Sequence, residues 1–263
     1  MKSLRFPRPF AFPPSGKSSG RGFTLIEVMV VLAIMTVLFV LVAPVITSLS
    51  GNVTAASVAI QGAFEQARTY AVANNTYTWV GIFEEDGTKP SSRNSAQPGA
   101  GRIVICVVAS KDGTSIYSKA NAENQEAQTL PSASLIQIGK LIKLENVHVV
   151  DASAQAVGKR AARIIQQGDL IGLASGVSLF SFGYPLSGST LYTFGGSAGA
   201  GANGIVQFNP QGEAISNVGS LANPSVNLEI AVRAAHGTHA DNAANLIALD
   251  VSGLTGQTTL YRP

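Results

Sequence analysis

The stretch Gly20–Pro44, GRGFTLIEVMVVLAIMTVLFVLVAP, decides how this chain is read. From Phe23 to Ile46 only Thr24, Glu27 and Thr36 are polar. At about 1.5 Å of rise per residue, such a run reaches roughly 36 Å as a helix, enough to cross a bilayer core of about 30 Å. It exceeds the roughly 7 to 15 apolar residues of a secretory signal's core, which favours an anchor that is kept over a signal that is removed. A plain anchor leaves Glu27 unexplained. A carboxylate in a membrane helix is costly unless it is paired, neutralised or close to the interface. Glu27 stands close to one end of the run, and a partner in a neighbouring subunit is its lowest-cost use.

Charge gives that run an orientation. The formal net charge of +3 conceals an asymmetry: residues 1–22 carry Lys2, Arg5, Arg8, Lys17 and Arg21 without an acid, and the rest has 13 basic and 15 acidic side chains. A basic flank stays cytoplasmic and sends the chain beyond the run outward. Beyond residue 22 no basic cluster is interleaved with aromatics, so no nucleic acid is expected as a partner. Only 13% of residues are charged and 27 are glycine, a mix that suits a secreted, strand-rich domain with many turns. The length allows one domain or at most two. The single cysteine, Cys106, forms no intrachain disulfide and sits in the apolar run Ile103–Val108 as a small buried hydrophobe.

The heptapeptide Gly22-Phe23-Thr24-Leu25-Ile26-Glu27-Val28 resembles the processing and methylation motif of type IV pilins and type II secretion pseudopilins. It follows a basic leader that ends in glycine, has phenylalanine next, puts a glutamate fifth in the mature chain, and opens the hydrophobic stretch. The resemblance implies that a membrane prepilin peptidase cuts between Gly22 and Phe23 and N-methylates Phe23. It further implies that Glu27 pairs with the amine of Phe23 in an adjacent subunit, and that inner-membrane machinery assembles the subunits. Pro44 fits a helix bend, because proline removes one intrahelical bond. In size and in its Gly/Ala-rich head the chain also resembles pilin-like proteins from large gene cassettes of the Verrucomicrobia.

After Pro44 the positions Val53, Ala56, Ile60, Phe64, Ala67 and Ala71 recur at three or four residues and form one helical stripe. Gln61, Glu65, Gln66 and Arg68 fall largely off it. Asn74-Asn75 reads as the stop, and Gly51-Asn52 as a place where the helix could break. Strands are expected at 76–83, 102–108, 135–144, 147–150, 177–182, 190–194, 204–208, 226–232, 246–251 and 257–261. A short helix is expected around 152–167. Loops are expected at 84–101, 119–134 and 195–203. The stretch from Gly204 through the Pro210-Gln211-Gly212 turn, with the later 245–256, resembles strands and a closing hairpin in minor pseudopilin heads of the GspH/FimT type.

For chemistry the sequence offers little. His236, His239 and Asp241 could supply zinc ligands, but a polar loop between strands accounts for them better. His148 reads as a strand residue facing solvent, and Asp169 and Asp112-Gly113 as turn residues. Ser175-Gly176 is a turn without a GxSxG context. HExxH, CxxC, P-loop and Rossmann fingerprints are absent. No enzyme, cofactor or metal is expected. The expectation is an α+β, type IV pilin-like fold: leader 1–22, membrane and spine helix 23–75, and an antiparallel β-sheet head 76–263. The expected role is a filament subunit of the minor pilin or pseudopilin kind, with a single pass through the bacterial inner membrane and the head in the periplasm or outside the cell. The alternative is an anchored or filament-displayed adhesin, with Tyr184, Tyr192 or Trp79 touching an unknown cargo or surface ligand, although Trp79, in a strand next to the spine helix, reads better as core.

Overall fold

The computed structural model of the chain describes residues 24–91, 97–119, 121, 126, 128–150, 169–170, 180–195, 203–216, 227–240 and 246–262. The side chains of 39–51 lie outside that description, as do the expected helix at 152–167 and the Ser175-Gly176 turn. The fold is α+β. Contacts divide it into two units, 1–45 and 46–263. The helix α1 (Leu25–Ala73) contributes to both, and Gly51-Asn52 lies within it.

Among the described residues fourteen strands follow: β1 (Thr78–Asp86), β2 (Gly101–Ser110), β3 (Gln128–Thr129), β4 (Leu135–Glu145), β5 (Val147–Val150), β6 (Asp169–Leu170), β7 (Phe180–Tyr184), β8 (Tyr192–Gly195), β9 (Asn203–Phe208), β10 (Ala214–Ser216), β11 (Asn227–His236), β12 (His239–Ala240), β13 (Leu246–Ser252) and β14 (Thr258–Tyr261). All ten expected strands have a counterpart. The four missed ones, β3, β6, β10 and β12, have two or three residues each, too few for alternation to show. Asp169, expected in a turn, therefore lies in a strand. The expected loop 119–134 contains β3 and a single 3-10 turn at Ser132–Ser134, and the expected loop 84–101 begins inside β1.

The stripe expected on the helix is buried along its whole length, from Val53 to Ala71. It packs into a core that also takes Val80 and Ile82 of β1, Ile103, Ile105 and Val107 of β2, and Leu228, Ile230 and Val232 of β11. The strands β10-β9-β1-β2-β4 make a five-stranded antiparallel sheet. Its other face packs Trp79, Phe83, Val104, Cys106 and Val108 against the β7–β8 hairpin through Phe180, Phe182, Tyr192 and Phe194. Both faces of β1 and β2 are covered, which is why their sequences read as nearly continuous apolar runs. A second sheet, β12-β11-β13-β14 with β5 and β6 paired to β11, closes the first core. Two short pairings, β3 with β7 and β6 with β11, are parallel.

The helix ends where the asparagines stand. Asn75 takes φ 49°, the amide of Thr76 reaches the carbonyl of Ala71 at 3.0 Å, and the amide of Asn75 reaches that of Val72 at 3.5 Å. This is a Schellman closure with asparagine in the left-handed position. Gln61, Glu65 and Arg68 lie off the stripe because they serve the C-terminal hairpin. Gln61 Nε2 donates to the carbonyl of Thr258 at 3.2 Å, Glu65 Oε1 accepts from its amide at 3.2 Å, and Arg68 Nε donates to the carbonyl of Thr255 at 2.6 Å. Helix side chains thus satisfy backbone groups of β14, the last strand of the second sheet, and of the turn that leads into it.

Candidate functional site

The N-terminal motif is the first candidate. Gly22 and Phe23 lie outside the described residues, which begin at Thr24. Thr24 and Glu27 cap α1 reciprocally. The amide of Glu27 donates to Thr24 Oγ1 at 3.3 Å, and the amide of Thr24 donates to Glu27 Oε2 at 3.4 Å. This is a capping box, in which two helix-end donors find acceptors, and the carboxylate also sits at the positive end of the helix dipole. Glu27 is exposed. Around it the apolar residues stand in the open: Leu25 is 79% exposed, Ile26 71%, and Met29, Leu32, Ile34 and Val37 more than half. A helix that is apolar on every side and exposed within its own chain buries that surface only against lipid or other subunits. Thr36 keeps its hydroxyl satisfied on the carbonyl of Ala33, at 2.8 Å.

Pro44 falls within α1, one residue before the division between the two units. Among the described residues no helix is long and apolar enough to cross a membrane. The expected run Phe23–Ile46 begins at a residue outside the description and continues into the 39–51 segment.

The head's candidates resolve differently. His236 and His239 face each other across the Gly237-Thr238 turn between β11 and β12, while Asp241 lies outside the described residues. Among the described residues no group of three His, Cys, Asp or Glu side chains could hold a metal ion. His148 does not simply face solvent. Its Nδ1 lies 2.6 Å from Oε1 of Glu84, a carboxylate only 1% exposed that also accepts from the amide of Gly101 at 3.1 Å. Tyr192, expected as an exposed ligand contact, is buried, with Lys143 Nζ 5.3 Å from its ring centre. Tyr184 is half-buried beside it. Trp79 is core, as expected, and its Nε1 donates to Gln207 Oε1 at 3.1 Å.

Cys106 is buried against aromatic and aliphatic neighbours, and burial pushes its thiol up to about 12. Asp112 holds a tight turn. Its carboxylate accepts from the amide of Thr114, the hydroxyl of Ser110 and the hydroxyl of Thr114, which lower it to about 2. A buried charged group at the end of β1 had no prominence in the sequence. There Arg102 Nε donates to Glu145 Oε1 at 2.6 Å and Nη1 donates to Glu85 Oε1 at 3.1 Å. The only hint was a pair of acids, Glu84-Glu85, directly continuing an apolar strand.

Residues 17–43 match the prokaryotic N-terminal methylation motif, the signature of type IV pilins and pseudopilins. The motif supports a type IV pilin-like or pseudopilin subunit and implies processing by a prepilin peptidase and assembly with other subunits of that kind. It ends at residue 43 and does not reach the stretch that resembles GspH/FimT-type heads. No curated protein and no solved structure matches the chain.

Proposed function

We propose that the chain is a minor subunit of a type IV pilus-like or type II secretion pseudopilus filament. The peptidase removes residues 1–22 and methylates the amine of Phe23. The apolar run anchors the subunit in the inner membrane until assembly, when it becomes part of the filament core. Glu27 then guides register by pairing with the Phe23 amine of a neighbour. The head works by contact and carries out no reaction of its own. The observation that carries this reading is the methylation motif at the start of a helix whose apolar residues 25–38 are exposed on all sides. The capping box supports it, because it holds Glu27 at the helix end where a neighbour's ammonium would bind.

Intact-mass and N-terminal peptide analysis of the protein from native membranes tests this. The expected product lacks residues 1–22 and carries one added methyl group on Phe23. A Glu27→Ala chain is expected to be cut normally and to lose co-purification with filament partners. A retained leader, or cleavage beyond the apolar run, would overturn the proposal.

A further inference from the structure

We propose that the heads of neighbouring copies join through the turn between β13 and β14, with Leu254 of one copy seated in a cleft between α1 and β4 of the next. The contact rests on the assembly reading above and deepens it by naming a surface through which subunits meet.

Leu254 is 61% exposed, more than any other large apolar side chain among the described residues of 46–263. The turn that carries it is held from several sides. The amide of Gly256 donates to the carbonyl of Ser252 at 2.7 Å, and the amide of Ala214 donates to that of Gly253 at 2.8 Å. Arg68 Nε donates to the carbonyl of Thr255 at 2.6 Å. Gly256 lies so close to the Pro210-Gln211-Gly212 turn that a Cβ there would fall 2.2 Å from the carbonyl oxygen of Gly212. A turn held in this way has little conformational freedom left to lose when its leucine docks.

The cleft has a volume of about 480 Å³, and its lining includes Glu65, Gln66, Thr69, Tyr70 and Ala73 of α1 with Ile138 of β4. Tyr70 and Ile138 rest on the first core, so the cleft has a firm apolar floor. An apolar side chain that enters it removes apolar surface of both partners from water. The turn meets the same part of α1 from elsewhere, through Arg68 and, beside it, through Gly212 against Val72. With 3.6 residues per turn, Arg68 and Tyr70 point about 200° apart, so leucine and cleft stand on two sides of the helix at one level. They do not meet within one chain. Copies with parallel helices bring one to the other side by side.

Charge and area both point to a second copy. Glu65 stands at the cleft and Arg68 beside the turn, 3.7 Å apart within one chain and each about a third exposed. Docking therefore brings a guanidinium toward a carboxylate of the next copy, and the turn Ser252–Gln257 adds no charge of its own. Two different patches make a heterologous contact, which repeats from copy to copy. One leucine and its turn bury far less than the roughly 1,200 Å² of a stable interface. Such a contact forms between copies that their N-terminal segments already hold together, where effective concentration is high.

Crosslinking in native membranes tests the contact, using the full chain with Leu254→Cys and Thr69→Cys and a short bismaleimide. Both positions are exposed, and Cys106 is buried and stays silent. The double variant is expected to give a ladder of dimers, trimers and larger products. Each single variant is expected to stay monomeric, as is Ser187→Cys with Thr69→Cys, which moves the first cysteine to the exposed β7–β8 turn. The two single variants expressed together are expected to give dimers and nothing larger. Leader removal and co-purification with filament partners are read in the same samples. A missing ladder in chains that are cut after Gly22 and co-purify overturns this contact alone, whereas a retained leader overturns the assembly reading with it. A product from Leu254→Cys alone would mean that leucine meets leucine, and a crosslink from Thr69→Cys to a different protein would give the cleft another occupant. Either result overturns the proposal.

Discussion

At the scale of single residues, environment sets chemistry. Cys106 lies on the β2 face that packs against the aromatic hairpin, and the thiolate loses its hydration there. A thiol reagent is therefore expected to label Cys106 only as fast as the head unfolds. Labelling of the native head at the rate of a free thiol would contradict the packing. Asp112 shows the opposite case. Three hydrogen bonds favour its charged form, led by the amide of Thr114. Because its folded value of about 2 lies below the ordinary 3.8, it contributes stability above that ordinary value which is lost as pH falls toward about 2. Thr114→Val removes the hydroxyl donor but keeps the amide. Its Asp112 is expected to titrate higher than in the native chain, as read by carboxyl NMR.

At the scale of elements, the 53–71 part of α1 is fixed by its stripe. Phe64 is fully buried, with its ring 6.3 Å from that of Phe208. Phe64→Ala is expected to cost about 3–5 kcal/mol in denaturant unfolding, from lost burial and the cavity left behind. A loss below about 1 kcal/mol would mean the helix is not seated as described. The stripe and the asparagine stop were legible in sequence because both are local: spacing specifies the face, and asparagine tolerates the left-handed turn. Gly81 was not legible. The Phe194 ring lies so close that a Cβ at residue 81 would fall 2.6 Å from its Cγ. A glycine inside a strand signals close approach without naming what approaches.

At the scale of the head as a whole, buried charge joins elements distant in sequence. Glu85 and Arg102 are both largely shielded from solvent, and Arg102 also reaches Glu145 and the carbonyl of Lys89. Breaking such a group by removing one partner leaves a buried charge unpaired. Arg102→Ala is accordingly expected to destabilise the head by about 3–5 kcal/mol, measured by denaturant unfolding at neutral pH. A change within about 0.5 kcal/mol would show that solvent compensates Glu85 freely. Glu84 and His148 connect β1 of the five-stranded sheet with β5 of the second sheet. Nothing local marks that pair, because Glu84 follows an apolar run and His148 lies within another.

The sequence by itself determined the N-terminal motif, the helical stripe and its stop, and ten of the fourteen strands among the described residues. Each of these is written in neighbouring residues, as a spacing, a turn residue or an apolar run. Tertiary structure decided which strands share a sheet, that β1 and β2 are covered on both faces, and that Gln61, Glu65 and Arg68 serve the hairpin. It also buried Tyr192 and brought His148 to Glu84 and opposite Arg233. These outcomes depend on partners as far as 197 residues away in the chain, as in the Gln61–Thr258 contact. Local pattern carries no record of such pairings, because strand register and side-chain burial are settled only when the sheets pack.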